Sequence, residues 1–243
     1  MWVNLKVTLV KITSFAPMLR FILITHLFVL LGFNPQDSTL YSKNNDTQLL
    51  YQECGLEKLI SFDIFRLAMT GQGKINELQN KNIITIIDFS KPSTRERLFV
   101  IDLENKKVLY KSLVAHGKNS GGNMANKFSN APRSLKSSLG FFVTAETYSG
   151  KYGYSLKLDG LEPGINDNAR KRGIVIHGAD FVSHEVARQC GLLGRSYGCP
   201  ALPLNTSKGI IDKISKGSCL FIYGNDKQYL ESSKILNEQS NSN

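Results

Sequence analysis

An apolar run, Ile174-Val175-Ile176, ends in His177 and is followed at once by Gly178. Cys199 lies 22 residues after that histidine, inside Gly194-Arg195-Ser196-Tyr197-Gly198-Cys199-Pro200. A thiol attacks a carbonyl carbon well only as its thiolate, and a neighbouring imidazole can take the proton. A strand end holds such a base more rigidly than a loop tip does. Glycine before the cysteine lets the backbone come close to a substrate carbonyl, where amide N–H groups around Gly198 and Cys199 can hold an oxyanion. The chemistry these residue types offer is acyl transfer through cysteine. By spacing alone, a cysteine and a histidine so far apart are more often structural than catalytic.

Other residues compete for the role. His116-Gly117 repeats the strand-histidine-glycine pattern, so two bases stand open. His26 belongs to an apolar segment, and His184 stands beside Glu185 at an expected helix start. Beyond Cys199 the chain holds Cys54, Cys190 and Cys219, an odd three, so in an oxidising compartment at least one stays unpaired and the pairing is not legible. Cys219 opens an apolar strand and reads as a small buried hydrophobe. There is no Cys-x-x-Cys pair, and the Cys and His spacings are too wide for a metal cluster.

The elements that must position these residues are mostly strands. Short β-branched or aromatic runs occupy Ile83–Phe89, Leu98–Leu103, Val108–Ala115, Gly140–Tyr148, Tyr152–Leu158, Gly173–His177 and Ser218–Tyr223. Glu104-Asn105-Lys106-Lys107 and Ser149-Gly150-Lys151 read as hairpin turns. Leu56, Leu59, Ile60, Ile64, Leu67 and Ala68 share one helical face and predict a helix over 56–69, ended by Gly71 and Gly73. Ser207–Lys216 reads as a second helix. The expected fold is mainly β (α+β): a compact β-sandwich or barrel-like catalytic domain with a preceding helical element and a few short helices. Its domain spans 55–225, between a polar linker at 34–54 and a polar C-terminal tail at 226–243. Two long connections, 117–138 and 159–172, have turn composition and suit lids or mobile segments.

The chain has 243 residues, 42% of them hydrophobic, with 30 Lys+Arg against 20 Asp+Glu. This excludes a disordered or fibrous protein, and the +10 excess favours an acidic partner: nucleic acid, an anionic membrane surface or a polyanionic polymer. Residues 1–33 carry Lys6, Lys11 and Arg20 and no acid, so setting them aside leaves +7. The thirteen-residue run Phe21–Phe33 is short for a membrane span and suits the apolar region of a secretory signal or an uncleaved N-terminal anchor. Met18 is a suspected true start, with 1–17 as an extension. No nucleic-acid motif follows, and export lowers that reading further.

The words of the motif carry more than its spacing. Ser196-x-Gly198-Cys199 downstream of His177-Gly178 resembles the signature of the L,D-transpeptidase catalytic domain (YkuD-like) family, nearest its murein L,D-transpeptidase branch. The resemblance extends over about Ile60–Tyr223. It implies that Cys199 attacks the carbonyl of an L-centre in a peptidoglycan stem peptide and expels the terminal D-alanine. His177, not His116, is then the base, and the Gly178 carbonyl orients its ring. Gly198, Ser196 and Tyr197 would line the oxyanion site and pocket, and Arg195 would bind substrate carboxylates. An amine acceptor gives a transpeptidase; water gives an L,D-carboxypeptidase. A non-catalytic wall-binding protein is the rival of another class. The resemblance implies no cofactor or metal, stem peptides as donor and acceptor partners, and an exported location in the periplasm or cell envelope. Tyr197 stands where many members carry histidine, and Pro200-Ala201 where many have a polar or basic residue.

Overall fold

The computed structural model describes residues 35–237. The expected signal or anchor at 1–33 and the suspected start at Met18 lie outside the described residues. Contacts divide the chain into residues 1–46 and 47–243. Among the described residues no helix is long and apolar enough to cross a membrane.

The stretch expected to be a linker is helical: α1 is Pro35–Glu53. Its polar sequence has no apolar stripe, so periodicity gave no sign of it. Near its end the buried Tyr51 packs edge-on to Phe62 at 5.4 Å and donates its hydroxyl to the Ile60 carbonyl at 2.7 Å. The next helix, α2, is Phe62–Gln72 rather than 56–69. Ser61 supplies the reason, since its side chain accepts from the Ile64 N–H as an N-cap and Asp63 follows in the first turn. Leu56 and Ile60 are buried as expected, but in the turns before it. Gly71 lets α2 lie on the sheet: a Cβ there would fall 2.0 Å from Phe141 Cζ.

Eight strands form one sheet among the described residues, in the order β3-β2-β1-β8-β4-β5-β6-β7. They are β1 Asn80–Asp88, β2 Leu98–Asp102, β3 Lys107–Ser112, β4 Gly140–Gly150, β5 Gly153–Gly160, β6 Val175–Ala179, β7 Ala201–Pro203 and β8 Ser218–Tyr223. β1 pairs parallel with β8, and β6 with β7; the other neighbours are antiparallel. β1, flanked by β2 and β8, is buried from Ile83 through Asp88, as its isoleucine-rich run, broken only by Thr85, suits. The expected strand to Ala115 stops at Ser112, yet the chain beyond it returns to the far edge. There Ala115 N–H donates to the Ala201 carbonyl at 2.8 Å, and Gly117 bridges Ser196. The sheet thus comes round almost onto itself, giving the expected mainly β, barrel-like fold with a few helices.

The remaining helices are α3 (His184–Cys190), α4 (Leu204–Ile214, three residues upstream of the expected start), α5 (Lys227–Ser232) and α6 (Lys234–Asn237). The last two lie in the stretch expected as a polar C-terminal tail. Asp226 caps α5, and Tyr229 and Ser233 are buried, both donating to the carboxylate of Glu162. That carboxylate also accepts the Phe141 N–H at 2.8 Å. The two long connections carry buried polar contacts. Asn166 spans from the Glu162 N–H to the carbonyls of Leu139 and Phe141, and Ser120, Ser137 and Ser138 are buried in the other. All four cysteines are free, with Cys219 fully buried as expected.

Candidate active site

His177 sits in the middle of β6, between Ser155 on β5 and Ala201 on β7. The parallel register places Cys199 two residues before Ala201, level with Val175. The base and the thiol therefore come from adjacent strand paths, and the Val175-to-His177 step is about 7 Å along one strand. The thiol is 7% exposed. It accepts the Val175 N–H at 3.5 Å and donates to the Gly173 carbonyl at 3.6 Å, so its hydrogen-bond partners are the entrance of β6 and not the imidazole. Active-site hydrogen bonds commonly tighten only once substrate is bound.

The imidazole is oriented. His177 Nδ1 lies 2.9 Å from the Gly178 carbonyl. A carbonyl can only accept, so Nδ1 carries the proton and Nε2 keeps its lone pair for use as a base. Burial lowers the His177 pKa, and the Gly178 carbonyl partly restores it. Burial raises the Cys199 pKa, opposed by the Val175 N–H and by the charge of Arg172. Both groups are therefore neutral at rest, and the proton must move during attack. Gly178 faces α4 so closely that a Cβ would fall 2.6 Å from Ser207 Oγ. Glycine is needed there by packing, whatever its carbonyl does.

The cysteine loop is stitched from within. Ser196 Oγ donates to the Cys199 carbonyl at 2.6 Å and accepts the Gly198 N–H at 3.1 Å. Ser196 is thus a buried brace across the loop, and its Oγ takes up the Gly198 N–H. Among the described residues the Cys199 N–H has no acceptor, which leaves it as the amide free to face an oxyanion. What Gly198 contributes is its backbone: φ is +126°, and a Cβ would fall 2.9 Å from the Lys136 carbonyl. Tyr197 is 65% exposed on the loop surface. Arg195 is exposed and donates to the Gly121 carbonyl at 3.3 Å, with the rest of its guanidinium towards solvent.

Tyr152, Arg97 and Arg172 escaped sequence reasoning, whereas His116 stands in the sequence as a candidate base. Tyr152, in the turn between β4 and β5, stacks on the His177 ring at 4.7 Å and 24°. A residue in a hairpin turn gives no sequence sign of what it covers. His116 does not meet the thiol but supports its loop, its carbonyl accepting the Ser196 N–H at 3.0 Å. Its Nδ1 accepts from the fully buried guanidinium of Arg97 at 2.8 Å, and that guanidinium also donates to the carbonyls of Val114 and Lys91. Burial first, then the Arg97 charge, press the His116 pKa down to about 4. Arg97 opens an apolar strand run after a polar stretch, a place where an arginine reads as solvated. Arg172, one residue before Gly173, is half-buried near the thiol.

A model of the L,D-transpeptidase catalytic domain family matches residues 56–223, more than half of the chain. The chain belongs to that family. Solved structures similar to this family member include an L,D-transpeptidase from Mycobacterium smegmatis, 13% identical, covering 59% of each chain with a TM-score of 0.38. The helical cell shape determining protein Pgp2 (K307A mutant) from Campylobacter jejuni is 16% identical, covering 67% of this chain and 57% of that one, with a TM-score of 0.40. An L,D-transpeptidase from Xylanimonas cellulosilytica is 15% identical, covering 58% and 60%, with a TM-score of 0.33. The match thus spans about three fifths of the length of such structures. No curated protein matches the chain.

Proposed function

We propose that the protein is a peptidoglycan L,D-transpeptidase that works through a Cys199 thioester. His177 Nε2 takes the thiol proton as sulfur attacks the carbonyl carbon of an L-centre in a stem peptide. The Cys199 N–H steadies the resulting oxyanion. Collapse breaks the L,D amide bond, and the proton on His177 passes to the departing amine of D-alanine. An amine of a second stem then attacks the thioester, forming the cross-link and returning the thiol; water in its place gives an L,D-carboxypeptidase. To Arg195, exposed on the same loop, we assign the binding of a substrate carboxylate.

The observation that supports this most is the His177 ring, fixed by Gly178 with Nε2 free, beside the loop that carries the cysteine. Incubation with disaccharide tetrapeptides tests it. Dimers support the transpeptidase, trimmed tripeptides alone the carboxypeptidase, and neither product the non-catalytic wall-binding reading. The Cys199→Ala variant should yield neither product. The proposed export through residues 1–33 is tested by a reporter fused after residue 40, which should leave the cytoplasm.

A further inference from the structure

Arg172 sits at the end of the 159–172 connection, where it turns into β6. Its guanidinium is spread over one segment, residues 129–138. Nη1 donates to the Ser129 carbonyl at 2.7 Å and to Ser138 Oγ at 2.5 Å, while Nη2 donates to Ser134 Oγ at 3.2 Å and to the Lys136 carbonyl at 2.6 Å. None of these partners is charged, and among the described residues no carboxylate forms an ion pair with it. The same segment presses on the cysteine loop. The Lys136 carbonyl is the atom a Gly198 Cβ would strike, and Ser137 Oγ donates to the Gly198 carbonyl at 3.2 Å. Arg172 Nη2 itself lies 3.4 Å from that Cβ position. The next residue, Gly173, holds the thiol proton at 3.6 Å.

We propose that Arg172 is a positioning residue that fastens the 129–138 segment across the cysteine loop and sets a fixed positive charge beside the Cys199 thiol. A guanidinium suits this place because its planar fork can satisfy four acceptors at once and it never gives up its charge to solvent. The thiol is buried, and burial opposes thiolate formation; an uncompensated cation nearby works against that cost. The charge that acts on the sulfur is that of Arg172 from the 159–172 connection. The 129–138 segment also carries Arg133 and Lys136, and it meets Arg172 and Gly198 through carbonyls and serine hydroxyls. The role assigned to Arg172 rests on Cys199 as nucleophile, but its test does not require acyl transfer.

The test is the pH dependence of Cys199 alkylation by iodoacetamide, followed by peptide mass spectrometry so that the exposed Cys190 is counted separately. The midpoint of that profile reports the thiol, whereas changed access alters only the plateau. Arg172→Gln should raise the midpoint by about one unit or more, making alkylation roughly tenfold slower at a fixed pH below it. Arg172→Lys keeps the charge and loses the fork, so its midpoint should stay near the parent's while hydrogen exchange in 129–138 speeds up. Arg172→Met serves if the glutamine variant does not fold. Midpoints equal in the parent and the neutral variant, or shifted equally by Lys and Gln, overturn the proposal. Because unmodified protein and a generic alkylating agent suffice, failure here is distinct from failure to process stem peptides.

Discussion

Taking the protein from pH 7 to pH 5 should cost the fold about 2 kcal/mol through His116 alone. The imidazole is 1% exposed and accepts from Arg97 at 2.8 Å, so a proton added to it must sit against an existing cation in a dry site. Its pKa is about 4 in the fold against 6.5 for an open chain. Since the folded value is the lower one, the unfolded chain takes up the proton first as pH falls. The stability is fully present above 6.5, is lost progressively below it, and is gone once the pH passes under about 4. The whole difference amounts to about 3 kcal/mol, of which about 2 is lost by pH 5. Urea unfolding at both pH values, on the parent and on His116→Gln, measures it. The glutamine side chain cannot be protonated, so the variant's loss should be smaller by about that amount, and the parent's His116 ring protons should titrate near 4. Parent and variant with the same acid sensitivity, or a ring midpoint near 6.5, would refute the reasoning. The acid loss bears on the site, because the His116 carbonyl anchors Ser196 and with it the cysteine loop.

Three further outcomes follow from the geometry. Gly178→Ala should cost about 1–3 kcal/mol in thermal unfolding, because its Cβ meets Ser207 Oγ at 2.6 Å, and adding Ser207→Ala should recover part of the loss. Ending the chain at residue 225 removes Tyr229 and Ser233 from the buried Glu162 carboxylate, and should lower stability by at least about 2 kcal/mol in urea. Tyr152→Ala uncovers the His177 ring. Burial is what lowers that pKa, so it should rise towards its ordinary value and carry the acid limb of the rate profile to higher pH, hurting activity more at pH 6 than at pH 8.

What the sequence makes legible here is what local chemistry dictates. His177 and Cys199 stand out because both are rare residue types set against glycine, although His177 lies mid-strand rather than at the expected strand end, and the strands stand out because β-branched residues cluster in them. Ser61 shows the limit of periodicity: Leu56 and Ile60 are buried as the pattern requires, yet a cap three residues before Ile64 moves the helix downstream. β7, three residues long, is too short to carry a pattern, although its register with β6 brings Cys199 to the site. α1 lacks an apolar face altogether, and α5 and α6 are held by Glu162, some seventy residues upstream of Ser233, which no local window can see. Arg172 and Arg97 escaped for the same physical reason. Their acceptors are mostly backbone carbonyls and serine hydroxyls brought by distant segments, and a carbonyl leaves no mark in the sequence.

The central claim is that Cys199 carries the acyl group. Its most direct measurement is the intact mass of the protein quenched in acid during turnover of a tetrapeptide donor, with the adduct located by peptide mapping. A thioester on Cys199 whose mass equals the donor less D-alanine, absent from Cys199→Ala and depleted when His177→Ala is used, is the predicted result. Product formation with no adduct on Cys199, or an adduct that persists in the Cys199→Ala variant, would contradict it.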